Sequence, residues 1–359
     1  MKYKRVFIDT IGYELAPEVV TSSEIEERLA PLYATLHIQP GQLESMTGIA
    51  ERRFWEPGYP VSRGAALAAA QALASSGVKS TEIGALIYAG VCRENFEPAT
   101  ACHVAGKLRE MGHRLSRSAH IYDLSNACLG MLNGMIEIAN RIELGQIRAG
   151  MVVSCESARE IVDTMIDRML HEHDMELFKT AIATMTGGSA AGAIILTDGS
   201  FGNSDSHRLV GAMCLSAPQW HNLCRWGIEP LPGPRLASEN APSYRQFMCT
   251  DSVQVLEHGI ELGQETWKAF IEELGWPKGV DRTICHQVGM GHREAILPML
   301  GLAEEHDFVA YDYLGNTGTV ALPLAAALAA EREFLEAGHR VGFLGIGSGL
   351  NCTMLGIEW

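Results

Sequence analysis

Positive charge is scarce in this chain. Its 28 Lys and Arg stand against 43 Asp and Glu, a formal net charge of −15. A field of that sign excludes general nucleic-acid binding and disfavours an acidic protein partner. Long apolar runs are missing too. The longest alanine-rich stretch, residues 320–330, falls short of the roughly 20 residues that span a bilayer. None of the nine cysteines forms a C-x-x-C pair, which excludes a zinc ribbon or thioredoxin-type motif and leaves reduced thiols as the simplest state. The opening run Met1-Lys2-Tyr3-Lys4-Arg5-Val6-Phe7-Ile8 passes straight into a strand pattern, without a signal-peptide core and cleavage site, so the expected location is cytoplasmic. Metal ligation is not expected. His171 and His173 in His171-Glu172-His173 do not share a helix face, and no third ligand is spaced nearby. Residues 187–192 are glycine-rich but lack the preceding strand, following helix and later acid of a dinucleotide fingerprint. No cofactor is expected.

What the chain does have is alternation of strand and helix patterns. Residues 3–12 read as a strand, and Thr21-Ser22-Ser23-Glu24 opens a helix with a capping box. Residues 41–53 read as a turn-rich connection, 62–76 and 100–111 as helices, and 85–90, 119–124 and 149–154 as buried strands. The Met-rich segment 158–180 lacks a clean period and reads as a flap that lines an acyl tunnel, together with 211–225. A Pro- and Trp-containing loop is expected over 217–243. Further on, helices are expected over 253–274, 291–300 and 322–336, and strands over 208–215, 282–287, 308–313, 341–345 and 352–359. The plan repeats. Tyr122-Asp123 recurs as Tyr311-Asp312, 189 residues on, and Arg148 recurs as Arg340, 192 residues on. Two halves, 1–200 and 201–359, are expected to build a pseudo-duplicated α/β fold. The turns after the repeated Tyr-Asp pairs would then face each other.

Those turns carry chemistry. Cys128 lies at a strand-to-helix turn among the small residues Ser125, Ala127 and Gly130. A helix N-terminus favours a thiolate or a developing oxyanion there. His286 ends an apolar strand, and Asn316 sits between Gly315 and Thr317. Both are donors for a thioester oxygen, whereas a lone His or Asn in such places also serves as a core or turn residue. The Gly345-Ile346-Gly347-Ser348-Gly349 loop allows close approach, so the Cys128 and Ser348 backbone N–H groups are candidates for an oxyanion hole.

Taken in order, Asn126-Ala127-Cys128-Leu129-Gly130, His286-Gln287-Val288, Gly315-Asn316-Thr317-Gly318 and Gly345-Ile346-Gly347-Ser348-Gly349-Leu350-Asn351 resemble the thiolase superfamily. Within it, the chain is similar to the ketoacyl synthase III-like condensing enzymes. The resemblance implies a five-layer αβαβα fold, a homodimer, an acyl-accepting Cys128, and a His286/Asn316 pair that holds the second substrate's enolate. Glu97, in Phe96-Glu97-Pro98, and Trp220-His221-Asn222-Leu223-Cys224-Arg225 are similar to OleA-type enzymes. That family joins two fatty acyl-CoA molecules without decarboxylation, giving a 2-alkyl-3-ketoacid. The resemblance makes Glu97 the base for the α-proton, delivered from the partner subunit.

The Trp and Arg that clamp the adenine in the decarboxylating enzymes are replaced here by Gln42 and Met46. Arg52, Arg53 and Arg225 remain as candidates for the CoA phosphates. The basic residue for carrier-protein docking after the His motif is not clearly matched, so acyl-CoA is favoured over an acyl carrier protein. A decarboxylating ketoacyl synthase III, a relative that transfers acyl groups to oxygen or nitrogen, and a catalytically silent binding subunit remain the alternatives.

Overall fold

The computed structural model describes residues 1–203, 206–230 and 244–359. The described strands are β1 (Phe7–Leu15), β2 (Glu18–Thr21), β3 (Glu51–Phe54), β4 (Ala85–Tyr88), β5 (His120–Asp123), β6 (Ala149–Glu156), β7 (Ala190–Thr197), β8 (His207–Ser216), β9 (Cys224–Pro230), β10 (Tyr244–Thr250), β11 (Arg282–Cys285), β12 (Arg340–Gly347) and β13 (Asn351–Glu358). Nine of them form one sheet in the order β11-β12-β13-β8-β1-β7-β6-β4-β5. β2–β3 and β9–β10 form separate antiparallel pairs.

The sheet has two matching wings. β1–β7 and β7–β6 are antiparallel, and β6–β4 and β4–β5 are parallel. Across the junction, β8–β13 and β13–β12 are antiparallel and β12–β11 is parallel. The wings join through Phe7↔Arg208 and Ile8↔His207, with a further bridge at Lys2↔Gly211. Strand side chains alternate faces, and that alternation sorts the core. Ile87, Val152 and Ile194 from one wing and Phe343, Leu355 and Ile357 from the other point into one shared core. Between the wings lie helices Gly130–Glu143 and Ala321–Glu331. Residues 321–329 are buried on every side, as an all-apolar helix must be. Outside the first wing, helices Val61–Ser75 and Thr100–Glu110 cover Leu86, Met151 and Ile195. Outside the second, helices Ser252–Leu274 and Met290–Leu300 cover Leu344, Cys352 and Met354. The result is five layers, αβαβα.

Local sequence explains many boundaries. The expected capping box at Thr21 is present: Thr21 Oγ1 accepts from Glu24 N–H at 3.1 Å, and Thr21 N–H donates to Glu24 Oε2 at 2.6 Å. Three expectations fail. The strand at 308–313 is instead one isolated bridge, Thr283↔Asp307, followed by a helical turn, Tyr311–Leu314. The segment 158–180 is not a flap but helices Arg159–Glu172 and Met175–Ala181. Ile161, Val162, Met165, Ile166 and Met169 recur on one helix face and bury it in a third core. Of the loop expected over 217–243, residues 224–230 are strand β9, and residues 231–243 lie outside the described residues.

Candidate active site

The nucleophile turn is tightly held. Leu129 N–H donates to Asn126 O at 2.9 Å and Gly130 N–H to Ala127 O at 3.1 Å. Ala127 takes φ +45, a left-handed conformation costly for a residue with a Cβ. The turn thereby lifts Cys128 to the start of helix Gly130–Glu143. Asn126, two residues before the nucleophile, is also tied to the glycine loop. Asn351 Nδ2 donates to Asn126 Oδ1 at 3.0 Å, and Asn126 Nδ2 donates to Asn133 Oδ1 at 2.7 Å. A Cβ on Gly347 would lie 3.1 Å from the Leu129 side chain and 3.6 Å from the Cys128 nitrogen, so a side chain there would press on Leu129 beside the nucleophile.

His286 follows β11 and donates its backbone N–H to Leu344 O at 2.9 Å. Its neighbour Gln287 is a staple. Gln287 Nε2 donates to Cys285 O (2.8 Å) and Phe308 O (3.1 Å), and Gln287 Oε1 accepts from Ala310 and Tyr311 N–H at 2.8 and 3.1 Å. That saturates the amide and fixes the strand end that carries the imidazole. His286 Nδ1 is buried with no hydrogen-bond partner among the described residues. Asn316 is held through its backbone, N–H to Thr186 O at 2.8 Å and O from Gly188 N–H at 2.9 Å. Its side-chain oxygen accepts from Gly318 N–H at 3.0 Å. The amide orientation follows, because the atom facing an N–H must be the oxygen, and the NH2 is left as the donor for a ligand.

Cys128, His286, Asn316 and Ser348 line one cavity of about 300 Å³. Most of the remaining wall is apolar, including Met248, Val255, Leu256 and Ile346. A second cavity of about 60 Å³ lies behind His286, between helices Ser252–Leu274 and Met290–Leu300. The two share Leu256, His286, Val288, His292 and Ile346 as walls. None of residues 158–180 lines either cavity, so the tunnel expectation for that segment fails, whereas 211–225 contributes one wall residue, Cys224. Met165 and Met169 pack in the core instead, and Met175 is exposed.

Electrostatics differ from the expected thiolate. Burial pushes the Cys128 thiol up to about 12, with Cys224 and Glu156 adding to the rise and its own backbone N–H opposing it. Desolvation outweighs the helix terminus. Burial likewise lowers His286 to about 4, with His292 adding to the effect. Both groups are neutral near pH 7, so the proton must leave sulfur during attack rather than beforehand. His292 was not singled out by sequence. It lines both cavities, and burial lowers its pKa as well.

The arginine candidates divide. Arg52 is fully buried, donating to Ser22 Oγ (2.9 Å) and Met185 O (3.2 Å), so it cannot meet a phosphate. Arg53 donates to Ala16 O at 3.3 Å, and its Nε is buried. It too is a structural residue. Arg225 is exposed on β9 over the Phe247 ring, next to the cavity-lining Cys224. Glu97 is exposed beside Phe96, which is 97% exposed, and lines neither cavity of its own subunit.

Residues 273–359 match the family described as 3-oxoacyl-[acyl-carrier-protein (ACP)] synthase III C terminal. The acyl-CoA:acyl-CoA alkyltransferase of Shewanella oneidensis is 53% identical, with 100% of both chains covered. The chain belongs to the acyl-CoA:acyl-CoA alkyltransferase family. Its Xanthomonas campestris relative of that name is 32% identical, again over 100% of both chains. A crystal structure of X. campestris OleA with cerulenin bound has TM-score 0.90 at 32% identity, covering 100% of this chain and 98% of that one. A variant of the same alkyltransferase, crystallised with lauric acid and lauroyl-CoA, has TM-score 0.89 at 31% identity, covering 99% of this chain and 100% of that one. The alkyltransferase family accounts for the thiolase-type layers and for the Cys/His/Asn constellation on one cavity.

Proposed function

We propose that this chain condenses two fatty acyl-CoA molecules head to head, without decarboxylation, to a 2-alkyl-3-ketoacid. The observation that carries the reading is the convergence of Cys128, His286, Asn316 and Ser348 on one largely apolar cavity. Cys128 sulfur attacks the first thioester carbonyl, its proton passes to His286, and CoA leaves as the thiol. The Cys128 and Ser348 N–H groups stabilise the tetrahedral oxyanion. The second acyl-CoA then places its carbonyl oxygen against His286 and the Asn316 amide. Loss of CO2 supplies no carbanion here, so a base must take the α-proton. Glu97 of the partner subunit is assigned that role. The enolate carbon attacks the acyl-Cys128 carbonyl, the C–C bond forms, and Cys128 leaves as the thiolate; the proton that Glu97 took from the α-carbon balances the one that restores the Cys128 thiol. Water then cleaves the remaining CoA thioester, so two CoA are released per ketoacid. No cofactor is required by this sequence of steps. The 60 Å³ cavity behind His286 extends the apolar room for an alkyl chain, and Arg225 is the candidate for a CoA phosphate.

A homodimer is part of the proposal. β5 ends the sheet with an open edge, and Asp123 at its end accepts from Thr100 and Ala101 N–H, both at 2.9 Å. That anchors loop 89–99, with Phe96 and Glu97, beside the edge. An open edge strand next to an exposed aromatic favours pairing with a second copy.

The test is incubation with myristoyl-CoA alone, reading CoA release and product mass. The 2-alkyl-3-ketoacid, or the ketone left when it loses CO2, is expected. A single burst of CoA with stable acyl-Cys128 and no ketoacid overturns the reading. Glu97→Ala should keep the acyl-enzyme, seen by intact mass, and lose roughly 10²–10⁴-fold in turnover, the contribution of a general base. The similarity of residues 273–359 to synthase III favours one competing reading, decarboxylating condensation with a malonyl thioester. Glu97→Ala would leave such an enzyme active.

A further inference from the structure

Glu156 is a carboxylate buried at the end of β6, 4% exposed, and the mechanism above does not use it. Its hydrogen bonds run in two directions. On one side Glu156 Oε1 accepts from Thr319 Oγ1 at 2.6 Å, and Thr319 also bonds Ser154 Oγ at 2.7 Å. Thr319 closes the turn that begins at Asn316, and Glu156 packs against that turn directly: a Cβ on Gly318 would lie 3.2 Å from Glu156 Cγ. Gly318, at φ +59, is the residue whose N–H orients the Asn316 amide. On the other side Glu156 Oε1 accepts from Val91 N–H at 2.9 Å and Oε2 from Cys92 N–H at 3.1 Å. Those two residues start the loop that carries Glu97. The same loop root is pinned to the end of β6 by Ser157 N–H to Cys92 Sγ at 3.4 Å.

We propose that Glu156 is a positioning residue that sets two parts of the enolisation machinery at once, the Asn316 donor of its own subunit and the Glu97 loop offered to the partner. It touches neither substrate nor the reacting atoms. Its hydrogen bonds bear on the second half-reaction, since acyl transfer to Cys128 needs neither Asn316 nor Glu97, whereas its charge, which adds to the rise of the Cys128 thiol, does not slow acylation when it is removed. The inference rests on the condensation reading.

Glu156→Gln keeps the size but offers one acceptor oxygen in place of two. Whichever way the amide lies, an NH2 group faces either Cys92 N–H or the Thr319/Val91 pair, and a donor–donor contact replaces a hydrogen bond. Thr319→Val cuts the bonds that Glu156 and Ser154 make to the Asn316 turn, leaves the Val91 and Cys92 bonds in place, and serves as the second variant should Glu156→Gln fold poorly. Three readings are taken with the full-length protein: the rate of the first CoA release, the rate of ketoacid formation from myristoyl-CoA, and the ratio of ketoacid rates with protiated and α-dideuterated myristoyl-CoA. The expected result for Glu156→Gln is a first CoA release no more than threefold slower than in the unsubstituted protein, ketoacid formation slower by tenfold or more, and a larger isotope ratio because proton removal now limits the rate. Thr319→Val should show the same pattern with a loss of threefold or more. Ketoacid formation within threefold of the unsubstituted protein in both variants overturns the proposal. So does a fall of CoA release in step with ketoacid formation, which marks a merely structural role. Absence of ketoacid from the unsubstituted protein instead overturns the condensation reading, and this role with it.

Discussion

At the scale of single residues, Cys128 and His286 are both neutral near pH 7, the thiol because burial lifts it to about 12 and the imidazole because burial lowers it to about 4. The sign of the consequence is fixed. Below about 12 the thiolate fraction grows tenfold per pH unit, whereas an ordinary cysteine levels off as it passes about 8.5. Alkylation of Cys128 by iodoacetamide, followed by peptide mass, should therefore keep rising with unit slope from pH 7 to 10. A plateau near pH 8.5 would show a thiol in an ordinary environment. The asparagines around the nucleophile lead to a second prediction. Asn351 ties Asn126 to the loop bearing Ser348. Asn351→Ala frees that loop and should slow acylation of Cys128 by about tenfold, since a misplaced oxyanion donor loses much of its effect. The rate of the first CoA release measures it.

Cys128, His286 and Asn316 were legible because each sits within a local motif on a turn. Glu156 and Asn351 act through bonds spanning 163 and 225 residues, and no local pattern reports such pairing. Glu156 did leave a trace, as an acid closing the apolar run Val152-Val153-Ser154-Cys155.

At the scale of elements, the room behind His286 belongs to helices Ser252–Leu274 and Met290–Leu300. Ile260→Trp fills part of the smaller cavity. It should reduce acylation by myristoyl-CoA about tenfold relative to octanoyl-CoA, because the lost space removes methylene contacts of the longer chain. Competition between the two thioesters, read by the mass of the acyl-enzyme, checks it. The arginines separate on the same basis. Arg52→Ala leaves Ser22 Oγ and Met185 O without their buried donor and should lower Tm by several degrees. Arg225→Ala should leave Tm unchanged and raise KM for acyl-CoA severalfold. Sequence treated these arginines alike because exposure is a property of packing. It also missed the helix 159–172, whose apolar residues are interrupted by five charged ones between Arg159 and Arg168 yet still fall on one face. The strand expected at 308–313 has the right composition, but the one bridge falls just before it, at Asp307, and Gln287 takes the backbone N–H groups of Ala310 and Tyr311.

At the scale of the whole molecule, the repeat of Tyr-Asp, turn and helix was readable because both turns reach one cavity, with Cys128 on one and Asn316 on the other, although the strand β5 that holds the first Tyr-Asp is replaced in the second copy by the helical turn Tyr311–Leu314. The repeat does not bear on the proposed contribution of a second chain. If Glu97 acts across a dimer, mixing Cys128→Ala and Glu97→Ala subunits restores one complete site in each mixed dimer. Exchange of subunits should recover about a quarter of the unsubstituted turnover from two inactive proteins. Were Glu97 to act within its own chain, the mixture would stay inactive.

The shared middle layer has a consequence for how the chain is made. Helix Gly130–Glu143 is covered by apolar residues of both wings, Phe343 and Leu355 among them. Some two hundred residues therefore separate that helix from the last strands that bury it. During synthesis the first wing leaves the ribosome with an apolar face open and waits for the rest of the chain before it is closed. Such a nascent chain is a natural client for a chaperone. Translation pauses after residue 200 should lengthen its exposure, and aggregation with it.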